Sequence, residues 1–298
     1  MHSNDVPLIT VALPVYNGGR FLRPAVLSIV RQTCTDWELL IIDDGSTDGS
    51  LEFIRDIKDA RIRIIRDGLN KGLAARLNEA INLARGQYFA RMDQDDIAYP
   101  ERFARQVAAL AKDPKLDLVG VRSLAISQQD QIVGYFPYAS SDNELCAMPW
   151  VGFYIVHPTW MGRTAWFRYH RYATPGPYLC EDQELLLRAF ATSRFTVIDD
   201  ILFAYRVRDQ IVWRKLVNTH WAVLKIQMDY FVHKHQLGYG LLAVFAFIGR
   251  VAMDCWDGFI QLFGGSLRVR YRKVVDRETL AKWRAVLESV SESGDGKG

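Results

Sequence analysis

Through the first 120 residues, short apolar runs rich in β-branched side chains alternate with segments in which apolar residues recur at helical spacing. Residues 8–13, 38–42, 62–65, 88–92 and 116–121 read as strands. Between them the spacing predicts helices over 21–31, with Pro24 in its first turn, over 73–84 and over 101–112. Another is expected through Leu51, Ile54 and Ile57, with Ser46, Thr47 and Asp48 as candidate caps. Parallel strands need crossovers of about this length, so the alternation predicts an α/β fold with a mostly parallel sheet covered by helices on both faces.

In such sheets ligands bind beyond the carboxyl ends of the strands. Those ends are unusual here. The first strand is followed by Pro14-Val15-Tyr16-Asn17-Gly18-Gly19 and the second by Asp43-Asp44-Gly45-Ser46. Asn70-Lys71-Gly72 follows the third and Asp93-Gln94-Asp95-Asp96 the fourth, so four loops are expected to meet at one crevice. Carboxylates this close raise one another's ionisation cost unless a cation sits among them. The alternative is that each cluster is a solvated turn whose Asp residues cap the next helix. No G-x-G-x-x-G and no G-x-x-x-x-G-K-[ST] follows the first strand, which excludes a dinucleotide cradle and a P-loop there.

An oxygen-rich crevice selects Mg²⁺ or Mn²⁺, whose shell is usually completed by substrate phosphates, and a nucleoside diphosphate would fit it. Tyr16 offers a ring or backbone for a base, Asp43 and Asp44 can accept from base or ribose, and Asp95 with Asp96 can hold the metal. An attacking hydroxyl also needs a base. Glu181-Asp182 opens an apolar-periodic segment, and Asp182 is the candidate; the alternative is acidic charge placed favourably at a helix N-terminus.

A net charge of +3 gives no basic field for nucleic acid. Four scattered cysteines without a C-x-x-C pair suit a reducing compartment, and the polar start lacks a secretory signal, so the expected location is cytoplasmic. Residues 124–205 are aromatic-rich, with Trp150, Phe153, Tyr154, Trp160, Trp166, Phe167 and Tyr178 serving either as core or as a binding wall. Beyond them Trp213, Leu216, Val217, Trp221, Leu224, Met228 and Phe231 mark an amphipathic helix. A second is expected over 241–263, with Arg250, Asp254, Asp257 and Gln261 in one polar stripe and Arg268, Arg270, Arg272 and Lys273 just after it. No uninterrupted apolar run reaches spanning length, so this region is expected to lie on an anionic membrane surface without crossing it, or else to pack on the catalytic domain or a second subunit as a homodimer contact.

In this order the pieces resemble a family-2 glycosyltransferase of the GT-A fold over residues 7 to about 210. They are Pro14 to Asn17, Leu40 to Asp48, Asn70 to Ala74 with Asn78, Gly86 to Tyr88, and Met92 to Asp96. Pro100-Glu101-Arg102 with Gln106, His157-Pro158-Thr159, Glu181-Asp182 and Tyr205-Arg206-Val207 continue the series. The resemblance implies a Rossmann-like mostly parallel sheet with a helical C-terminal extension. It implies inverting, metal-dependent transfer of a hexosyl or N-acetylhexosaminyl group from a nucleoside-diphosphate sugar, expected to be a UDP-sugar. The acceptor is a hydroxyl of a saccharide or lipid-linked acceptor in bacterial surface-polysaccharide synthesis, at the inner face of the membrane. The competing classes are a non-catalytic nucleotide-sugar-binding protein and a nucleotidyltransferase.

The implied nucleotide-binding residues are Pro14, Val15, Tyr16, Asp43, Asp44, Lys71, Asp93 and Asp95; Asp95 and Asp96 hold Mn²⁺ or Mg²⁺, and Asp182 is the base. Glu181, His157, Trp160, Arg206 and Arg208 fall on the acceptor side or in secondary roles. Many relatives carry a metal-binding His where this chain has Arg208, and a guanidinium cannot ligate a metal but can pair with a departing diphosphate. The expected organisation is a nucleotide-sugar half over 1–120, an acceptor and catalytic half over 121–210, a helical extension over 211–290 and a disordered tail over 291–298.

Overall fold

Residues 9–15 and 37–43 are buried at every position, the signature of strands covered on both faces rather than half-solvated ones. The computed structural model describes residues 6–177, 179–207, 213–262 and 275–291. Its strands are β1 (Ile9–Val15), β2 (Trp37–Asp43), β3 (Ile62–Arg66), β4 (Tyr88–Arg91), β5 (Ile97–Ala98), β6 (Leu118–Ile126), β7 (Ile132–Tyr135), β8 (Met161–Arg163) and β9 (Phe195–Arg206). The helices are α1 (Leu22–Val30), α2 (Leu73–Leu83), α3 (Arg102–Lys112), α4 (Asp142–Leu145), α5 (Thr164–Tyr169), α6 (Glu181–Ala189), α7 (Trp213–His233), α8 (Leu237–Leu262) and α9 (Arg277–Ser291). The segment through Leu51 and Ile54 forms only a 3-10 turn, Ser50–Ile54, and the expected cap Asp48 instead accepts from the Ser50 backbone at 3.0 Å.

The sheet runs β3-β2-β1-β4-β8-β6-β9-β5, with β7 on β6. β3, β2, β1 and β4 are parallel, as are β6 and β9, while β5, β7 and β8 are antiparallel to their partners. The sheet is therefore mostly parallel, as expected. The insertion of β8 between β4 and β6 is not visible in Met161-Gly162-Arg163, which is too short to carry a periodic signal. Period-two alternation sorts the core: Val11, Leu13, Leu39 and Ile41 pack with α1 and α3, whereas Ala12, Leu40, Ile42 and Phe89 pack with α2, α5 and α6. Gly86 is required by close approach, since a Cβ there would lie 2.4 Å from the Thr10 nitrogen.

The aromatic stretch resolves as core, with Phe153, Trp160, Trp166 and Phe167 buried; Tyr154 is exposed and Tyr178 lies outside the described residues. Both expected C-terminal helices form, but the second seats its polar edge inward. Asp254 is buried 2.7 Å from His220 of α7, and the Arg250 guanidinium donates to the Val151 carbonyl. The outward face is apolar, with Leu241 58%, Phe245 61%, Ile248 54%, Trp256 57% and Phe259 52% exposed. Leu237–Trp256 is also apolar and long enough to cross a membrane by length and composition, at mean hydropathy 1.5. The search for an uninterrupted run missed it because Arg250 and Asp254 break the sequence while lying along the side that packs on protein. The side chains of Asp257 and Gln261, the basic run 268–273 and residues 292–298 lie outside the described set.

α9 falls almost wholly within the helical extension expected over 211–290. Its Trp283, Leu287 and Val290, spaced four and three apart, pack on Ile97, Leu124, Ile126 and Ala204, closing the sheet at β5 and β9. The Trp283 indole lies 5.1 Å from the Tyr99 ring and donates to the Ile201 carbonyl at 3.2 Å. Trp283→Ala is expected to lower the unfolding free energy by about 3 kcal/mol, read from the urea midpoint by circular dichroism. The exposed Trp256→Ala change is expected to move it by less than about 0.5 kcal/mol.

Candidate functional site

The four loops at the carboxyl ends of β1, β2, β3 and β4 are cross-linked by hydrogen bonds. Gln94 clamps the first loop, accepting from the Tyr16 nitrogen at 2.8 Å and donating to its carbonyl at 3.0 Å. Asn17, in left-handed conformation at φ 50, donates from its backbone to Ser46 Oγ and accepts from the Thr47 nitrogen. Tyr16 itself is half exposed at the rim, whereas Pro14 and Val15 are buried strand residues. They position the Tyr16 loop rather than offering side chains of their own.

The two acids after β2 have different tasks. Asp44 accepts from the Lys71 nitrogen at 2.6 Å, from the Gly72 nitrogen at 3.0 Å and from Arg76 Nε at 2.8 Å. It thus caps the start of α2, where helix dipole and unpaired N–H groups favour an anion. Arg76 is fully buried, and also binds Asp67 and Glu79. Asp43 accepts from the Ser46 nitrogen at 3.0 Å and keeps more acceptor capacity than Asp44. The Lys71 ammonium pairs with Asp67 at the rim.

Beyond β4, Asp93 and Asp95 are partly exposed and Asp96 is buried. Asp96 Oδ1 accepts from the Arg206 nitrogen at 2.8 Å, while Oδ2 is buried with no partner. Burial, and then the charges of Asp95 and Asp93, hold the Asp96 carboxyl well above the usual range. A divalent cation would relieve that repulsion. Among the described residues no three or more His, Cys, Asp or Glu side chains form a protein-only cage. One or two carboxylates completed by phosphate oxygens is the habit of Mg²⁺ and Mn²⁺, so the donor set fits.

Of the acceptor-side or secondary roles expected for Arg206, its hydrogen bonds fit the secondary one. Its Nε binds the Asp95 carbonyl at 2.8 Å, Nη1 the Ser127 carbonyl at 2.7 Å and Nη2 Asp130 at 2.7 Å. Buried over the Phe21 ring, it holds the acidic loop in place. Trp160 also fits a secondary role: it is fully buried, its ring centroid 4.5 Å from that of His157 at a tilt of 58°. Arg208 lies outside the described residues.

On the other side, Glu181 and Asp182 open α6. Burial, then the charge of Asp182, pushes the Glu181 carboxyl up to about 7. Burial raises Asp182 too, opposed by hydrogen bonds from Gln183 and by the Arg91 charge. His157 is buried with Nε2 2.8 Å from the Tyr172 hydroxyl and Nδ1 3.8 Å from Glu181. Burial and Arg91 hold its pKa well below the ordinary value, so this is a neutral imidazole rather than an ion pair. The acidic loop and the Glu181-Asp182 pair are electrostatically coupled, since the Asp93 charge contributes to raising Glu181.

Arg76, Arg91 and Tyr172 escaped the sequence reading. An arginine inside an apolar strand or on the apolar face of a helix was the available signal. Arg102 and Gln106, quoted there only as motif positions, form a girder: Arg102 donates to the Arg91 and Pro158 carbonyls, and Gln106 to those of Val119 and Thr159.

This geometry has known counterparts. EpsE of Bacillus subtilis (strain 168), a protein named as a glycosyltransferase, is 38% identical over 128 residues, covering 42% of this chain and 46% of EpsE. The aligned part is thus less than half of that relative's length. Among solved structures, S. aureus TarS 1-349 in complex with UDP-GlcNAc superposes with a TM-score of 0.62 at 16% identity, over 96% of this chain and 81% of that one. The mannosyltransferase PcManGT from Pyrobaculum calidifontis, in complex with GDP-Man and Mn²⁺, gives a TM-score of 0.58 at 14% identity, over 98% and 88%. At such identities these two speak for the fold, which is GT-A. The sequence model of Glycosyl transferase family 2 matches residues 10–170, more than half of the chain, and the protein belongs to that family.

Proposed function

We propose that this chain is an inverting glycosyltransferase that moves a sugar from a nucleoside diphosphate, UDP being the preferred carrier, to a hydroxyl of a saccharide or lipid-linked acceptor. The observation that carries the reading is the juxtaposition of a half-exposed acidic loop, Asp93 to Asp96, with a second carboxylate pair at the start of α6. A binding protein needs the first and has no use for the second. Residues 1–120 supply the donor half and 121–210 the base and acceptor half.

The nucleoside lies against Tyr16 with Asp43 as acceptor, and Asp93 faces ribose and diphosphate. Asp95, with the unpartnered Oδ2 of Asp96, holds Mn²⁺ or Mg²⁺, which when bound offsets charge on the leaving diphosphate. Asp182 takes the proton of the acceptor hydroxyl as that oxygen attacks the anomeric carbon opposite the leaving group. Burial raises its pKa, which makes it a stronger base than an exposed aspartate. Glu181, near half protonation at pH 7, and His157 line the acceptor side.

The C-terminal helices dock the enzyme on the cytoplasmic face of an anionic membrane. The support is α8, which points its charged edge at protein and its apolar face outward, followed in sequence by Arg268, Arg270, Arg272 and Lys273. Such a site receives a lipid-linked acceptor without the enzyme leaving the surface, in keeping with surface-polysaccharide synthesis.

Calorimetry with UDP is expected to show binding in Mn²⁺ or Mg²⁺ that weakens at least tenfold after chelation; equal affinity in EDTA would take the metal out of the reading. A donor screen over UDP-sugars and GDP-mannose, read by nucleoside diphosphate release, should give turnover with one carrier. Asp182→Asn is expected to bind UDP normally while turnover falls about 10²-fold or more. Turnover near the parent's would transfer the base role to Glu181. In flotation, the full chain should rise with anionic liposomes at low salt and less so at high salt, whereas Phe245→Ser with Trp256→Ser should stay behind. A stable dimer that ignores liposomes would make this face a subunit contact instead.

A further inference from the structure

Arg91 is the last residue of β4, and strand alternation turns it to the same side of the sheet as Phe89, toward α6. Its backbone is held on both sides. The nitrogen donates to the Trp160 carbonyl at 2.8 Å and the carbonyl accepts from Arg102 Nη2 at 2.8 Å. The side chain is 2% exposed, and Nη2 donates to Asp93 Oδ1 at 2.7 Å. Nε and Nη1 are buried and have no hydrogen-bond partner.

A buried guanidinium with two unmade bonds is costly unless its charge is used. The groups that share its field are acidic: Asp93 from the loop after β4, Glu181 and Asp182 from the start of α6, and the Tyr172 phenol. Burial opposes the charge of Arg91, and these neighbours outweigh it and raise its pKa. Cys180, beside Glu181 in sequence, and His157, 3.8 Å from Glu181, are the other titratable groups around the pair, and burial keeps both in their neutral forms. Arg91 is thus a buried cation bonded to Asp93 on the sheet face against which α6, the helix opened by Glu181 and Asp182, packs.

We propose that Arg91 is a positioning residue joining the two halves of the site: it orients Asp93 toward the nucleotide and supplies the countercharge that holds the Glu181-Asp182 pair ready to accept a proton. The proposal rests on Asp182 as the base. Without the cation, ionising the pair costs more, so its pKa rises and the acid limb of the rate moves to higher pH. An arginine that merely filled space would change folding and leave the limb in place.

The test compares Arg91→Met and Arg91→Lys with the parent, using hydrolysis of UDP-N-acetylglucosamine from pH 5.5 to 9.5 and calorimetry with UDP and Mn²⁺. In R91M the acid limb of kcat/KM is expected to move up by about one pH unit, the low end for loss of a neighbouring cation, and UDP affinity to fall several-fold. R91K keeps a charge but not the reach to Asp93, so its limb should stay within a few tenths of a unit while UDP affinity falls as in R91M. An unmoved limb in folded R91M overturns the proposal, as does an R91K limb displaced as far as that of R91M. Should R91M not fold, R91K decides alone: parental UDP affinity overturns the proposal, and weakened affinity with an unmoved limb supports it. Parental turnover in D182N overturns the base reading and this proposal with it. Loss of turnover in D182N beside an unmoved limb in R91M overturns this proposal only.

Discussion

Holding many carboxylates at the ends of one sheet without letting them drive the loops apart is the constraint on which this structure depends. Each acid has a specific answer. Asp44 is neutralised by the buried Arg76 and by the start of α2, and Asp93 by the buried Arg91. Asp96 accepts from the Arg206 backbone while the Arg206 side chain holds the Asp95 carbonyl. Removing one partner of a buried pair typically costs about 3 to 5 kcal/mol because the other is left uncompensated. The arginines are thus as much a part of the site as the acids.

The same logic explains why the acidic loop is not solvated turn. A solvated Asp cluster would leave its backbone to water, whereas here Gln94 closes on the Tyr16 backbone and Arg206 on the Asp95 carbonyl. Asp96 Oδ2 on one side and the Nε and Nη1 nitrogens of Arg91 on the other are buried without a hydrogen-bond partner, as is Arg102 Nη1. Arg102 and Gln106 connect the end of β4 and β6 to the His157-Pro158-Thr159 turn through one hydrogen-bonded network.

The C-terminal helices invert the ordinary rule of amphipathicity. A surface helix shows charge to water and apolar residues to the core; α8 pairs Asp254 with His220 and turns Phe245, Ile248 and Trp256 outward. Its partner α7 is conventional in part, with Leu224 and Phe231 buried and Trp221 exposed. The chain then returns, through α9, to cover the end of the sheet where β5 pairs with β9.

The sequence by itself determined the strand and helix alternation of the first 120 residues, the site at the strand ends, and the family, because buried parallel strands are written as continuous apolar runs and loop acids keep a fixed order. It also placed both helices after residue 213, whose apolar spacing is local. Only the tertiary structure decided that Asp44 caps α2 while Asp43 accepts from the Ser46 nitrogen, that Arg206 is buried against the acidic loop and Trp160 against His157, and that Arg91 pairs with Asp93. Those distinctions depend on partners tens of residues away, Arg76 for Asp44 and Asp95 for Arg206, which no local pattern encodes. For the same reason the antiparallel β8, three residues long, and the inward charged edge of α8 could not be read from periodicity: period gives the face of an element, and packing decides which way that face turns.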